Sequence, residues 1–258
     1  MADETRFEQD GPVALLTFNR PEVRNAMTWE MYEALRETCE RVDADSATRV
    51  LVLRGAGDKA FVSGTDIRQF LEFRTREDVL GYEARLDRSI GRLAAMRKPA
   101  IAMVQGDAVG GGLFMALACD LRIAAEHTRY GVPVARTLGN FPAPSNLTRL
   151  VAAVGPVRAR NLAMTARLMD AREAHAVGLV DEVVPSERLE ARVRELAHHV
   201  AGLAPLTLAA IKEATRRVSQ AFALRDAEDL LLSCYLSEDF REGARSFVEK
   251  RKPDWKGR

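Results

Sequence analysis

Residues 108–120 read AVGGGLFMALACD. Three consecutive glycines head an apolar run, Leu113 to Cys119, that contains no acid or base. Glycine at such positions gives up chain entropy and helix propensity, about 1 kcal/mol each against alanine. Two readings account for that cost. One is tight packing of the helix on the strand before it. The other is a ligand: the first helical N–H groups have no internal partner, and the helix dipole favours negative charge beside them. The triplet lacks the Lys and Ser/Thr of a phosphate loop.

Working outward, Ile101-Ala102-Met103-Val104 reads as a buried strand before the triplet, and Asp120–Ala124 as the strand after it. A strand, a glycine loop, a helix and a strand make an α/β unit. Upstream, Phe7–Gln9 and Val13–Phe18 flank the turn signal Asp10-Gly11-Pro12 and predict a hairpin. Thr28 predicts the N-cap of a helix reaching about Val42, and Val50–Leu53 a short buried strand. Segments 66–73 and 78–96 read as helices, and 131–144, rich in Pro, Gly and Asn, as irregular. Helices are expected over Ser145–Val154, with Ser145 as N-cap, over Pro156–Met164 and over 170–174, ahead of a strand at Val180–Val184. From Ser186 the pattern is helical, broken at Pro205 and near Arg225 and Glu238. The division expected is an α/β core over 1–195 and a helical oligomerisation region over 196–258.

The chain has 258 residues, enough for a large core, and a net charge of +1 with acids and bases interleaved. That balance argues against nucleic acid or an anionic membrane as partner. Cys39, Cys119 and Cys234 are odd in number and far apart, which predicts reduced thiols in an intracellular protein and no metal site. The polar start MADETRFEQDG does not resemble a signal peptide, so a cytoplasmic location is expected.

A second glycine loop, KAFVSGTDI (59–67), again sets glycine between a strand and a helical segment. Two such loops would each supply one N–H to the same oxygen. Together with NRPEVRNAM (19–27), QGDAVGGG (105–112), ALACDLRIA (116–124), TRLVAAVGPVRA (148–159), GLVDEVVP (178–185) and EGARSFVEKRKPDW (242–255), they resemble the crotonase superfamily, the enoyl-CoA hydratase/isomerase group. The resemblance covers nearly the whole chain. It implies a spiral of ββα units with a helical C-terminal trimerisation region, and a homotrimer or dimer of trimers. It implies an acyl-CoA substrate in fatty-acid-type metabolism, with coenzyme A carried by the substrate and no separate cofactor. The shared chemistry is a thioester enolate held by two backbone N–H groups, which match Thr65 and Gly111. Ser63, Asp66, Ile67 and Gly110 flank them; Arg24 and Lys250 match positions near the CoA nucleotide and phosphates.

The resemblance departs at two points. Hydratases of the group carry a glutamate two residues beyond the last glycine, where this chain has Phe114. The second follows a proline, where this chain has Val134 (or Ala135). Adding water to a double bond needs a base and an acid, and neither residue serves. Isomerisation needs one base, and Glu83 or Asp87, spaced i, i+4 on one helix face beside Tyr82, would supply it. Decarboxylation needs none for C–C cleavage, and Arg136 would hold a malonyl-type carboxylate. Asn140 and Ser145 are further polar groups in that segment. An acyl-CoA-binding protein without efficient turnover is the other class these features allow.

Overall fold

The computed structural model describes residues 4–258; residues 1–3 of the polar N-terminal stretch lie outside the described residues. Strands β1 (Thr5–Asp10) and β2 (Val13–Phe18) form the expected antiparallel hairpin. Helix α1 (Trp29–Ala44) begins where Thr28 accepts a hydrogen bond from Met31 N–H. Three successive turns follow. Each contains one strand of a large sheet, one strand of a small sheet and a helical segment. These are β3 (Val50–Gly55), β4 (Ala60–Val62) and α2 (Arg76–Ala94); then β5 (Ala100–Val104), β6 (Asp107–Val109) and α3 (Gly111–Ala118); then β7 (Leu121–Ala125), β8 (Arg129–Gly131), α4 (Val134–Thr137) and α5 (Pro144–Thr165).

Like strands of successive turns pair in parallel, β3 on β5 on β7 and β4 on β6 on β8. The chain is therefore the expected spiral of ββα units. β9 (Met169–Asp170), α6 (Ala171–Ala176) and β10 (Glu182–Val184) close it, so the large sheet runs β1-β2-β3-β5-β7-β10 and the small one β4-β6-β8-β9. One face of the large sheet packs on α1, α2 and α3 through Leu16, Leu51, Leu53 and Ala102. The other face, through Val50, Val52, Ile101 and Ile123, packs on α7 (Leu189–Ala201), and position 195 lies inside that helix. The strands read as apolar runs because both faces are covered.

Helices α8 (Pro205–Ala221), α9 (Glu228–Tyr235) and α10 (Glu238–Val248) end the chain. Both α9 and α10 return to the core through Tyr235, Phe240 and Ala244, whereas α8 buries none of its residues.

Local chemistry moves three expectations. Segment 66–73 holds only a 3-10 turn, Ile67–Phe70, capped by the Asp66 carboxylate. The helix after 143 has Ala143 at its N-cap and Pro144 at its first position, where a missing N–H costs nothing, so Ser145 lies inside the helix and caps nothing. That helix turns at Gly155 (φ 76°, ψ 160°), separating the two helical stretches. Within the irregular segment stands the single turn α4.

The three glycines have three different causes. Gly110 sits at φ 57°, ψ −122°, a backbone conformation that side chains resist. Gly111 runs against the other glycine loop: a Cβ on it would lie 3.1 Å from the Cα of Gly64. Gly112 packs on β4, where a Cβ would fall 1.8 Å from the Val62 carbonyl oxygen. Both readings of the triplet thus have a place, packing at Gly112 and loop approach at Gly111. Gly112→Ala is expected to lower stability by about 3 kcal/mol or abolish folding, since backbone must move to admit the methyl group; the midpoint of urea unfolding measures it.

Candidate active site

The two glycine loops meet at the mouths of successive turns of the spiral. In the first, Met27 pairs with Thr65 as an isolated parallel bridge: Met27 N–H donates to the Gly64 carbonyl (2.8 Å) and Asp66 N–H to the Met27 carbonyl (2.9 Å). A parallel bridge of this form uses the peptides flanking Thr65 and turns the Thr65 N–H away from Met27. In the second, Gly111 is the first residue of α3, so its N–H has no acceptor inside the helix. A Cβ on Gly64 (φ 103°) would stand 3.4 Å from the Gly111 nitrogen. The Thr65 and Gly111 amides therefore belong to touching loops.

Around them stands a wall of aromatic rings. Tyr82 on α2 packs against Phe70 (centroids 5.0 Å), Phe73 (5.5 Å), Trp29 (5.6 Å) and Tyr235 (6.1 Å), and Tyr235 against Phe240 (4.8 Å). Inside this apolar shell lie two polar groupings. Thr65 Oγ1 shares hydrogen bonds with Tyr32 Oη (2.9 Å) and Tyr82 Oη (3.0 Å), all three residues being buried. Burial lifts both phenols above their ordinary range, so they stay protonated. In the other grouping, Asn140 Nδ2 donates to Tyr235 Oη (3.0 Å) and Tyr235 Oη donates to Glu83 Oε1 (3.1 Å). The Asn140 Oδ1 is buried with no partner among the described residues.

Glu83 is half-buried, and desolvation pushes its carboxyl up to about 7; the Tyr235 hydrogen bond opposes the rise and the Asp87 charge adds to it. Asp87, one turn on, is exposed. The Glu83 charge also opposes ionisation of Tyr32, Tyr82 and Tyr235, so all four groups share one region.

Phe114 is buried on α3, and Val134, half-buried, opens α4. Asp66 serves its own loop: it caps the 3-10 turn, pairs with Arg68 (2.6 Å) and reaches Arg20 (3.4 Å). Ser63 N–H donates to the Arg24 carbonyl, and Ile67 begins the 3-10 turn. Arg24 and Lys250 are exposed, each at positive φ. Arg136 is exposed on α4. A cleft of about 420 Å³ beside the Thr65 loop is lined by Trp29, Asp66, Gln69 and Glu72, among others. Among the described residues no group of three or more His, Cys, Asp or Glu is placed to hold a metal, and no helix is long and apolar enough to cross a membrane.

Residues 8–258 match the family model described as enoyl-CoA hydratase/isomerase. The chain belongs to that family. It is 38% identical over 254 residues to a probable enoyl-CoA hydratase of Rhizobium meliloti (strain 1021), covering 97% of each chain. To the short-chain-enoyl-CoA hydratase of Clostridium acetobutylicum it is 34% identical, covering 95% of each. Among solved structures, methylmalonyl-CoA decarboxylase complexed with 2S-carboxypropyl CoA superimposes with TM-score 0.90 at 30% identity over the whole of both chains. The crotonase fold and an acyl-CoA-processing family are thereby shown.

Sequence reasoning passed over Tyr32, Tyr235, Asn25 and Arg149. Asn25 is fully buried and staples its loop, donating to the Ala56 (3.0 Å) and Ala60 (2.9 Å) carbonyls and accepting from Arg20 N–H. Arg149 on α5 is half-buried and among the described residues bonds the neutral Asn146 amide oxygen (2.8 Å); burial pulls its pKa down. The one available signal was Asn25 itself, a polar residue between a proline turn and an apolar helix.

Because the folded chain binds the Glu83 proton more tightly than the unfolded chain does, the Glu83 contribution is present below about 4.5 and is lost as pH rises to about 7. Glu83→Gln is expected to be more stable than the parent at pH 8, by up to about 3 kcal/mol, with the gain vanishing near pH 4.5; urea midpoints at the two pH values measure it.

Proposed function

We propose that this chain is an acyl-CoA thioester enzyme that holds an enolate oxygen between the Thr65 and Gly111 N–H groups and moves one proton with Glu83. The observation that carries the reading is two amides without a partner among the described residues, on touching glycine loops, in the region of a carboxyl poised near neutrality. Backbone donors fixed by loop geometry stabilise charge as it develops and need no reorganisation at the moment of reaction. A desolvated carboxyl near 7 is matched to proton transfer at neutral pH.

Hydration asks for two acid/base groups, and Phe114 and Val134 supply neither. One carboxyl suits isomerisation, in which the same group takes a proton and returns it. It also suits decarboxylation, in which C–C cleavage leaves an enolate that needs one proton. The likeness to methylmalonyl-CoA decarboxylase supports the second course. Arg24 and Lys250 are assigned to the CoA phosphates, Ser63, Asp66, Ile67 and Gly110 to the walls of the oxygen site, and Arg136 to an acyl carboxylate at the pocket rim. No cofactor beyond the CoA ester enters the scheme, and the location assigned is the cytoplasm.

The test is deuterium uptake at the α-carbon of saturated, enoyl and carboxyacyl CoA esters in heavy water, read by mass spectrometry with conversion scored in the same run. Exchange or turnover is expected in the parent, falling about 10²–10⁴-fold in Glu83→Gln while CoA-ester binding persists. Binding without exchange or conversion would leave an acyl-CoA-binding protein. The pH profile separates the two courses. Proton abstraction rises with pH through about 7 as Glu83 ionises, whereas protonation of a decarboxylated enolate falls through the same range.

We further assign the outer face of α8 to contact between copies of the chain in a trimer or dimer of trimers. Ile211 (57% exposed), Val218 (62%) and Phe222 (81%), the last just past its end, stand open on one side of it, an apolar stripe that water disfavours. Light scattering is expected to give three or six chain masses, and Val218→Glu with Phe222→Glu to reduce the mass to one chain.

A further inference from the structure

The Tyr32–Thr65–Tyr82 grouping has a hydrogen left over. Three hydroxyls carry three hydrogens, and the two bonds joining them use two. Whichever way the bonds run, one O–H hydrogen remains, and no further acceptor is bonded to any of the three hydroxyls among the described residues. The residues are 2%, 8% and 6% exposed, so bulk water does not reach that hydrogen freely. An apolar acyl chain would be served by Phe at 32 and 82 and Val at 65. Each hydroxyl has a partner, and the spare O–H hydrogen is a donor left over for a ligand oxygen.

The grouping also has a definite place. The Thr65 side chain is one bond from the peptide whose N–H is assigned to the enolate oxygen. Tyr32 Oη lies 3.6 Å from the point a Cβ on Gly111 would occupy. An acyl group whose thioester oxygen sits between those amides brings the atoms nearest the thioester to these hydroxyls.

Resting on the function proposed above, we infer that the substrate's acyl group carries an oxygen acceptor close to the thioester, and that the Tyr32–Thr65–Tyr82 hydroxyls donate to it. A carboxylate fits the grouping best. It accepts from several donors at once. On its departure as CO₂ the C–C bond electrons pass to the α-carbon and thioester oxygen as the enolate, and the α-carbon then takes one proton. A site built to hydrogen-bond a group discriminates strongly against analogues that lack it.

The experiment measures dissociation constants of free CoA, butyryl-CoA, 3-hydroxybutyryl-CoA and malonyl-CoA by calorimetry, with malonyl-CoA conversion followed in parallel. The parent is expected to bind an oxygen-bearing ester at least tenfold more tightly than butyryl-CoA, one good hydrogen bond to a charged acceptor being worth that factor. Malonyl-CoA leading the panel identifies the carboxylate, and 3-hydroxybutyryl-CoA leading it identifies a hydroxyl. Tyr32→Phe with Tyr82→Phe should erase the preference, bringing the oxygen-bearing esters to the affinity of butyryl-CoA in the same variant. Both changes keep ring volume, and the parent's own ratio needs no variant. Equal binding of butyryl-CoA and the oxygen-bearing esters by the parent would overturn the inference and leave the acyl-CoA reading intact, as would a preference surviving in the double variant. Failure of every ester and of free CoA to bind would remove the acyl-CoA reading itself.

Discussion

Everything proposed for this molecule depends on how closely two backbone loops approach. Gly64 and Gly111 come from successive turns of the spiral, and the second loop would press a methyl group to 3.1 Å from the first loop's Cα. The parallel ladders of β3 with β5 and β4 with β6 set that distance, because each turn of the spiral lies one strand spacing from the next. The Met27–Thr65 bridge then fixes the rotation of the first loop, and the Val62 carbonyl seats the second through Gly112. Two amides are thus oriented by the architecture and not by any side chain.

Side chains set what surrounds those amides. Six aromatic rings form the wall, and the polar groups beside it show the consequences. Glu83 rises to about 7, and the phenols of Tyr32, Tyr82 and Tyr235 stay protonated. Tyr235 belongs to α9, 152 residues beyond Glu83 in the chain. The C-terminal helices therefore close the site as well as the fold, since without Tyr235 the carboxyl would lose its hydrogen-bond donor and the wall a ring.

Local signals were readable where one residue did the work. Thr28 as N-cap, the Gly11 turn, the apolar strands and the glycine loops all follow from single-residue chemistry, and they position the spiral. Segment 66–73 was not readable in that way. Its apolar spacing suits a helix, but Phe70 and Phe73 are drawn onto Tyr82 and Phe240, and Asp66 caps only one tight turn. Ser145 looks like a cap because hydroxyls favour that position, yet Pro144 at the first helical position puts the N-cap two residues earlier, at Ala143. The Thr65 and Gly111 amides were reachable from motif and family pattern. Asn140 stood out as a polar group of its segment, but Tyr32 and Tyr235 did not, since a tyrosine at helical spacing reads as core until the fold brings a carboxyl to it.

The remaining question is why a carboxyl on α2 would suit chemistry that Phe114 and Val134 cannot perform. Two acids flanking a double bond share the work of delivering water's two parts. With apolar groups on α3 and α4, water has no activating partner there, and an enolate formed between the amides is shielded from it. In the proposed scheme the proton comes from the α2 side, where Tyr235 donates to Glu83 and holds one carboxyl oxygen in place. A single group near neutrality serves both directions of transfer, because it is ionised and protonated in comparable amounts at pH 7. The same desolvation that makes Glu83 costly to the fold is what would make it effective on the enolate, so the destabilisation and the proposed activity share one physical origin.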